Sequence, residues 1–318
     1  MPKKVVLDVD PGIVDAMVLC LAAFEPSIEI VALTSTGGNV PADIAARNLQ
    51  GLIEFLDPPR LPRIGIGRKT DERNALDYRH VHGIDGLNGT PLVIAELRSQ
   101  HPAEKVILEA VRNDPDNVMI ICLGPLTNIA RAAALDPEFS NLVRHIYITG
   151  GSFNGEGNIS ACAEFNIYAD ISAAQTVFHL PCTKTLVPLN ITNQVLLTLQ
   201  HLERFPDKAT KIGGLLHRML LPAFQTYRQC YGFGGIHIHD LVTYLIAINP
   251  SWAKTQELPV EIETEGAFTK GMTIFDRRPR PEFSMMLDVV TEIDERQLLN
   301  EIIDRFNELA DENAVTEM

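Results

Sequence analysis

The chain alternates short apolar runs with longer stretches in which apolar positions recur every three or four residues. The runs KKVVLDVD, EIVALTST, NVMIICLG, RHIYITGG and TKTLVPL read as strands. They are nearly uniformly apolar rather than alternating, which is the pattern of strands buried on both faces. Helical periodicity predicts helices over 15–24, 41–56 and 125–135, and later over 211–230 and 240–249. Strand-like VEIETE and a closing helix over 294–308 follow. Strands alternating with helices predict an α/β fold, with a mostly parallel central sheet, helices on both faces and a Rossmann-like core. No internal repeat, low-complexity tract or linker interrupts the pattern, so the 318 residues read as one domain.

In such sheets ligands bind beyond the carboxyl ends of the strands. Polar and glycine residues gather at those ends: Asp8 and Asp10 after the first strand, and Gly37-Gly38-Asn39 after the second. Gly124-Pro125-Leu126-Thr127-Asn128 and Gly150-Gly151 follow two further strands. The stretch VVLDVDPGIVDAMVL places Asp10 and Asp15 five apart across a strand–turn–helix junction, so both can face one pocket. Neighbouring carboxylates repel unless protonated or bridged by a cation. Hard oxygen ligands of this kind suit Ca²⁺ or Mg²⁺ rather than zinc. A plainer reading is also available: Asp15 caps the helix that follows and Asp8 serves the turn.

Two reaction classes begin this way. A haloacid-dehalogenase-type phosphatase opens with D-x-D after its first strand, but wants Thr or Val two residues after the second Asp, where this chain has Gly12. The other is attack by a metal-held water, with Asp10 as ligand and general base.

Composition narrows the partners more than the chemistry. A net charge of −14 argues against nucleic acid, whose phosphates need a surplus of Lys and Arg. No run approaches the roughly 18 apolar residues of a membrane span, and MPKKVVLDVDPG is not built like a signal peptide. A cytoplasmic protein without a membrane partner is expected. The five cysteines (Cys20, Cys122, Cys162, Cys182 and Cys230) form no C-x-x-C pair and read as free thiols, most of them buried.

Six short motifs in order decide between the reaction classes: DVDPGIVD, STGGNV at 35–40, HGIDGLNG at 82–89, LGPLTNIA at 123–130, GNISACAEFNIYAD at 157–170, and His239-Asp240 opening a helix. On these the sequence resembles the inosine–uridine-preferring nucleoside hydrolase family over almost its whole length. The resemblance implies a Ca²⁺ site formed by Asp10, Asp15 and Asp240 through side chains and Thr127 through its backbone carbonyl. Asp10 would also take the proton of the calcium-bound water that attacks the anomeric carbon. Asn39 would contact the sugar, and Asn158, Glu164 and Asn166 its hydroxyls. His239 is the first choice for protonating or hydrogen-bonding the leaving base, with His82, His237, Tyr227 and Tyr231 as further candidates at the pocket. The implied substrate is a small nucleoside-like molecule, and the implied assembly a homodimer or homotetramer. Trp252 reads as core rather than as a platform for a base.

Two positions depart from the family pattern. Val14 replaces the second of two adjacent aspartates, which in the family accepts a hydrogen bond from the ribose 2′-hydroxyl. Thr149 stands where methionine is usual. The metal ligands survive while sugar recognition is altered. The expected activity is therefore hydrolysis of nucleosides or related N-ribosides with a weakened demand for the 2′-hydroxyl. The alternatives are a hydrolase of another small glycoside-like substrate and a catalytically silent Ca²⁺ and sugar binder. Retention of Asp10 speaks against the silent binder, which has no need of a base.

Overall fold

The computed structural model describes residues 2–68, 79–92 and 101–316. Its strands are β1 (Lys3–Val9), β2 (Ile28–Ser35), β3 (Arg63–Ile66), β4 (Val118–Cys122), β5 (Val143–Thr149), β6 (Lys184–Val187), β7 (Leu196–Thr198), β8 (Gly235–His237), β9 (Ala253–Ile262), β10 (Thr273–Phe275) and β11 (Met286–Ile293). The helices of the first half are α1 (Ile13–Ala22), α2 (Ala42–Leu56), α3 (Arg79–His82), α4 (Ala103–Asn113), α5 (Thr127–Leu135) and α6 (Phe139–Leu142). Those of the second half are α7 (Phe165–Ala169), α8 (Ile171–Phe178), α9 (Leu189–Thr192), α10 (Leu199–Leu202), α11 (Lys211–Tyr231), α12 (His239–Ile248) and α13 (Glu295–Thr316).

Among the described residues nine strands form one sheet in the order β10-β9-β11-β6-β5-β4-β1-β2-β3. All pairings from β3 to β11 are parallel; only the β11–β9 and β9–β10 pairs are antiparallel. The expected α/β architecture is therefore present. Every residue of β4 and the last five of β1 are buried, as uniformly apolar strands require when helices cover both faces. On one face α1, α11, α12 and α13 supply the larger core, including Met17, Leu216, Leu245 and Phe306. On the other, α4, α5 and α8 contribute Val106, Ile129 and Val177.

Element boundaries differ from expectation in instructive ways. The first helix starts at Ile13 rather than Asp15, because the Asp15 carboxylate caps it from inside the first turn. Trp252 packs against the larger core, as expected. No disulfide forms among the described residues; Cys20, Cys122 and Cys162 are buried, whereas Cys230 is exposed near the end of α11. No helix among them is long and apolar enough to cross a membrane.

Candidate active site

Because β1 lies between β2 and β4, its carboxyl end is flanked by the ends of both neighbours. The chain leaves β1 at Asp10, and Asp10 is fully buried between the two glycine segments that end β2 and β4. The Asn39 amide donates to its Oδ2 at 2.7 Å. A Cβ placed on Gly38 would collide with that same oxygen, and one on Gly124 would stand 2.9 Å from its Cγ and Oδ1. Glycine at these two positions is thus a demand of space: the carboxylate fills the room that side chains would take.

Asp15 lies in the first turn of α1 and faces the same place. Its Oδ2 accepts from the Gly12 amide at 3.0 Å and from Asn39 Nδ2 at 3.3 Å, while Asn39 Nδ2 also reaches the Asp10 carbonyl at 3.2 Å. Asn39 thereby ties the two aspartates together. The capping reading of Asp15 holds, and it leaves room for the site reading, because one oxygen caps and the other, Oδ1, is buried without a protein partner. Asp240, in the first turn of α12, completes the group.

These three carboxyls influence one another. Burial lifts Asp10 well above the ordinary carboxylate range, and the charges of Asp15 and Asp240 lift it further. Burial raises Asp15 to about 6 against the hydrogen bonds that favour its charge. Asp240 is raised by burial, by Asp15 and by Glu164. No Lys or Arg among the described residues pairs with any of them. Isolated buried carboxylates are costly, so such a set calls for protons or a cation. Among the described residues no three His, Cys, Asp or Glu converge closely enough to close a metal shell by themselves. Oxygen donors from the backbone, from water or from a ligand would have to finish it, which is the usual way of a hard-cation site. The orphaned Asp15 oxygen and the all-oxygen donor set fit such an ion.

Asp8 does not belong to this group. It points into the structure below the rim, where Thr34 Oγ1 and Asn128 Nδ2 donate to its Oδ1 at 2.5 and 2.8 Å. Burial raises it to about 7. Thr127 opens α5, and its hydroxyl donates to Asp170 Oδ2 at 2.6 Å, which anchors the turn whose carbonyl is the expected ligand.

The sugar-side candidates are held by backbone. Glu164 caps α7: its oxygens accept from the amides of Asn166 (3.0 Å), Ile167 (3.1 Å) and Gly151 (3.1 Å), yet burial still lifts it to about 7. Asn166 Nδ2 donates to the carbonyls of Leu123 (2.9 Å) and Thr149 (3.1 Å), bridging the ends of β4 and β5. Asn158 is exposed and accepts from the Phe165 amide at 2.8 Å. Each of these side chains therefore spends part of its capacity on fixing its loop. Val14 is 6% exposed and packs into the larger core. Thr149 is buried with its hydroxyl unpartnered.

A second wall is aromatic. Rings run in contact from Tyr227 to Tyr231 (5.6 Å between centroids), Phe233 (5.9 Å), His237 (5.3 Å) and His239 (5.6 Å). Tyr231 and Phe233 are 41% and 44% exposed, whereas the two histidines are half-buried. His239 Nδ1 lies 2.7 Å from Thr192 Oγ1, and burial pushes its pKa down to about 3, with His237 adding to the effect. It is a neutral imidazole at physiological pH. His82, at the end of α3, comes from the opposite side: its Nδ1 accepts from the Ile13 amide at 3.4 Å, and a Cβ on Gly12 would touch both His82 and Asn39. Asp10, Asn39, Thr127, Asp240, Glu164 and Asn166 lie at strand ends and helix starts and Tyr227, Tyr231, His237 and His239 on the aromatic wall, whereas His82 closes α3 and Asn158 sits in the loop before α7. Thr192, Asp170 and Phe233 were not among the expected residues. Asp170 stands in the GNISACAEFNIYAD motif and Phe233 in the stretch TYRQCYGFGGIHIHD that supplies the wall candidates, whereas Thr192 stands in neither.

A family model described as inosine-uridine preferring nucleoside hydrolase matches residues 5–300. The chain belongs to that family. It is 33% identical over 287 residues to the inosine-uridine preferring nucleoside hydrolase of Crithidia fasciculata, covering 89% of this chain and 90% of that protein. It is 32% identical over 296 residues to the pyrimidine-specific ribonucleoside hydrolase RihA of Klebsiella pneumoniae, covering 91% of this chain and 94% of the relative. Among solved structures, the plant nucleoside hydrolase PpNRh1 matches with a TM-score of 0.88 at 32% identity, over 96% of this chain and 99% of the other. Membership carries the activity class, hydrolysis of the N-glycosidic bond of nucleosides.

Proposed function

We propose that this chain hydrolyses nucleosides or related N-ribosides with a Ca²⁺ ion held by Asp10, Asp15, Asp240 and the Thr127 carbonyl. The observation that carries the reading is three carboxyls on the rim that burial raises, with Asp15 raising Asp10 and Asp240 further, no cationic side chain of the described residues beside them and one oxygen of Asp15 unpartnered. A cation there would offset their repulsion and make a water molecule more acidic. Asp10 is the base that takes the proton of the attacking water, its carboxylate held in place by the Asn39 amide and walled by the two glycines. Departure of the base leaves oxocarbenium-like charge on the sugar, which the surrounding carboxylates favour. Asn39, Asn158, Glu164 and Asn166 meet the sugar with the lone pairs and N–H groups their loops leave over.

His239 is the donor to the leaving base. A neutral imidazole donates from only one nitrogen, so its tautomer matters. On the assignment that the Thr192 hydroxyl donates to Nδ1, the His239 proton sits on Nε2. The competing acceptor for that hydroxyl, the Leu189 carbonyl, is farther away at 3.3 Å. His82, His237, Tyr227 and Tyr231 line the base side. A cytoplasmic homodimer or homotetramer acting on a free small molecule is part of the same proposal and rests on the family likeness.

Val14 sharpens the substrate. Valine cannot accept a hydrogen bond, so a buried 2′-hydroxyl facing it loses a partner at a cost of about 1–3 kcal/mol. The chain is therefore proposed to discriminate weakly between ribosides and 2′-deoxyribosides, and the same residue favours a second reading, a substrate whose sugar lacks that hydroxyl. The test is release of reducing sugar from inosine, uridine and their 2′-deoxy forms, before chelation, after it and after Ca²⁺ is restored. Release that vanishes with chelator and returns with Ca²⁺ is expected. Release indifferent to chelator overturns the metal role, and strong rejection of deoxyribosides overturns the role given to Val14.

A further inference from the structure

Away from the active-site rim, a cavity of ≈ 650 Å³ opens between the end of α2 and the start of α11. Four of its lining residues are basic or can become so: Lys208, Lys211, His217 and Arg218. Among the described residues no acidic side chain lines it, in a chain with 41 Asp and Glu against 27 Lys and Arg. The concentration of one sign is therefore local and runs against the charge of the whole molecule.

Nor do these cations serve each other's neighbours. Elsewhere on the surface Lys4, Arg63, Arg112, Lys254, Arg278 and Arg305 pair with carboxylates. Among the described residues Lys208, Lys211, His217 and Arg218 pair with none; the nearest thing to a partner is the Phe55 ring, over which the Lys211 ammonium stands 5.3 Å from the centroid. Lys211, Gly214, Arg218 and Leu221 repeat at helical spacing along one face of α11. Gly214 lets the Lys208 backbone lie against the helix: a Cβ there would stand 2.9 Å from the Lys208 carbonyl and 3.9 Å from Arg218 Nη2. Phe55, Leu221 and Pro222 make the remaining wall apolar.

Unpaired cations around a trough with an apolar wall are the complement of a small phosphate monoester: the phosphate takes charge-assisted hydrogen bonds while the ester group covers the apolar wall. We propose that this trough binds a phosphorylated small molecule bearing a flat or apolar substituent, at a site separate from the catalytic rim. A nucleic acid fits less well, because the basic surface is confined to one cavity while the chain as a whole carries −14. The proposal does not depend on the reading of the active site.

The experiment is equilibrium binding by calorimetry, using the full chain with inorganic phosphate, phenyl phosphate and a single-stranded RNA oligonucleotide. Phenyl phosphate should saturate one site and bind more tightly than phosphate. Arg218→Gln and Lys208→Gln should each weaken it about tenfold, the scale of one lost charged hydrogen bond, with the melting temperature unchanged. Phe55→Leu should remove the advantage of phenyl phosphate over phosphate. Absence of saturable binding, or binding indifferent to both polar variants, overturns the site. RNA binding more tightly than phenyl phosphate through the same residues overturns the small-molecule assignment.

Discussion

The two sides of the candidate active site are built from different materials. The carboxylate floor is buried and its atoms are held by backbone: amides of Gly12, Asn39, Gly151, Asn166 and Ile167 all donate to its carboxyls. The aromatic wall is half-exposed and held by ring contacts, each worth about 0.5–1.5 kcal/mol. Backbone hydrogen bonds fix direction as well as distance, whereas ring contacts tolerate sliding. The floor thus has one geometry, suited to a reaction that varies little between substrates. The wall can adjust to different leaving bases. Variants on the floor should abolish turnover, and variants on the wall should redistribute it among substrates.

The largest effect is expected on the floor. Asp10→Asn should lower kcat roughly a thousandfold or more, since base and ligand are both lost, while the circular-dichroism spectrum stays unchanged. Turnover above a tenth of the parent value would show that another group takes the proton.

On the wall, His239→Ala should cost about a hundredfold on inosine and uridine but far less on nitrophenyl riboside, whose leaving group needs no proton. Equal losses on both would remove His239 from the role of donor to the leaving base. Thr192→Val should show the same substrate dependence more weakly, because it leaves the imidazole present but its tautomer unset. An unaltered ratio between the two substrates would make Thr192 a packing residue.

Where floor and wall meet the sugar, Val14→Asp should raise kcat/KM on ribonucleosides about tenfold, the equivalent of about 1.4 kcal/mol, and leave deoxyribonucleosides unimproved. A parallel rise on both would place the 2′-hydroxyl elsewhere.

The smallest effect concerns stability. Glu164 and Asp8 are both raised to about 7 by burial, so the folded state binds protons more tightly than the unfolded chain. Their contribution favours the folded state at low pH and declines as pH rises from about 4 through about 7. In chelator the melting temperature should therefore climb by a few degrees between pH 7.5 and 5.5. Added Ca²⁺ should raise it at pH 7.5 and flatten that slope, because the ion favours the charged carboxyls. A melting temperature that falls on acidification across this range would mean that other groups dominate.

Much of this arrangement was readable in the sequence, for physical reasons that also explain the rest. Strands buried on both faces must be apolar throughout, so β1, β2, β4, β5 and β6 announced themselves. Edge strand β3 has only the four residues Arg63–Ile66, too few to show a period. The rim residues were legible because glycines and carboxylates at strand ends have few structural uses. Asp8 shared that pattern but turned inward, since strand alternation points residues 8 and 10 to the same face without deciding how deep each side chain lies. Thr192 left no mark, because its part depends on contact with a histidine 47 positions further on; Phe233, whose ring meets its near neighbours Tyr231 and His237, had no polar group to single it out.

The close fit of Asp10 between Gly38 and Gly124 limits how this enzyme can change. Any other residue at either glycine must displace the carboxylate proposed as the base. Those two codons are closed to drift, and so are the loops whose path depends on them. New substrates must be won by substitutions in the residues around the base and sugar, beginning with positions such as 14, 149 and 233. A laboratory selection for altered specificity should accumulate changes there and leave both glycines untouched.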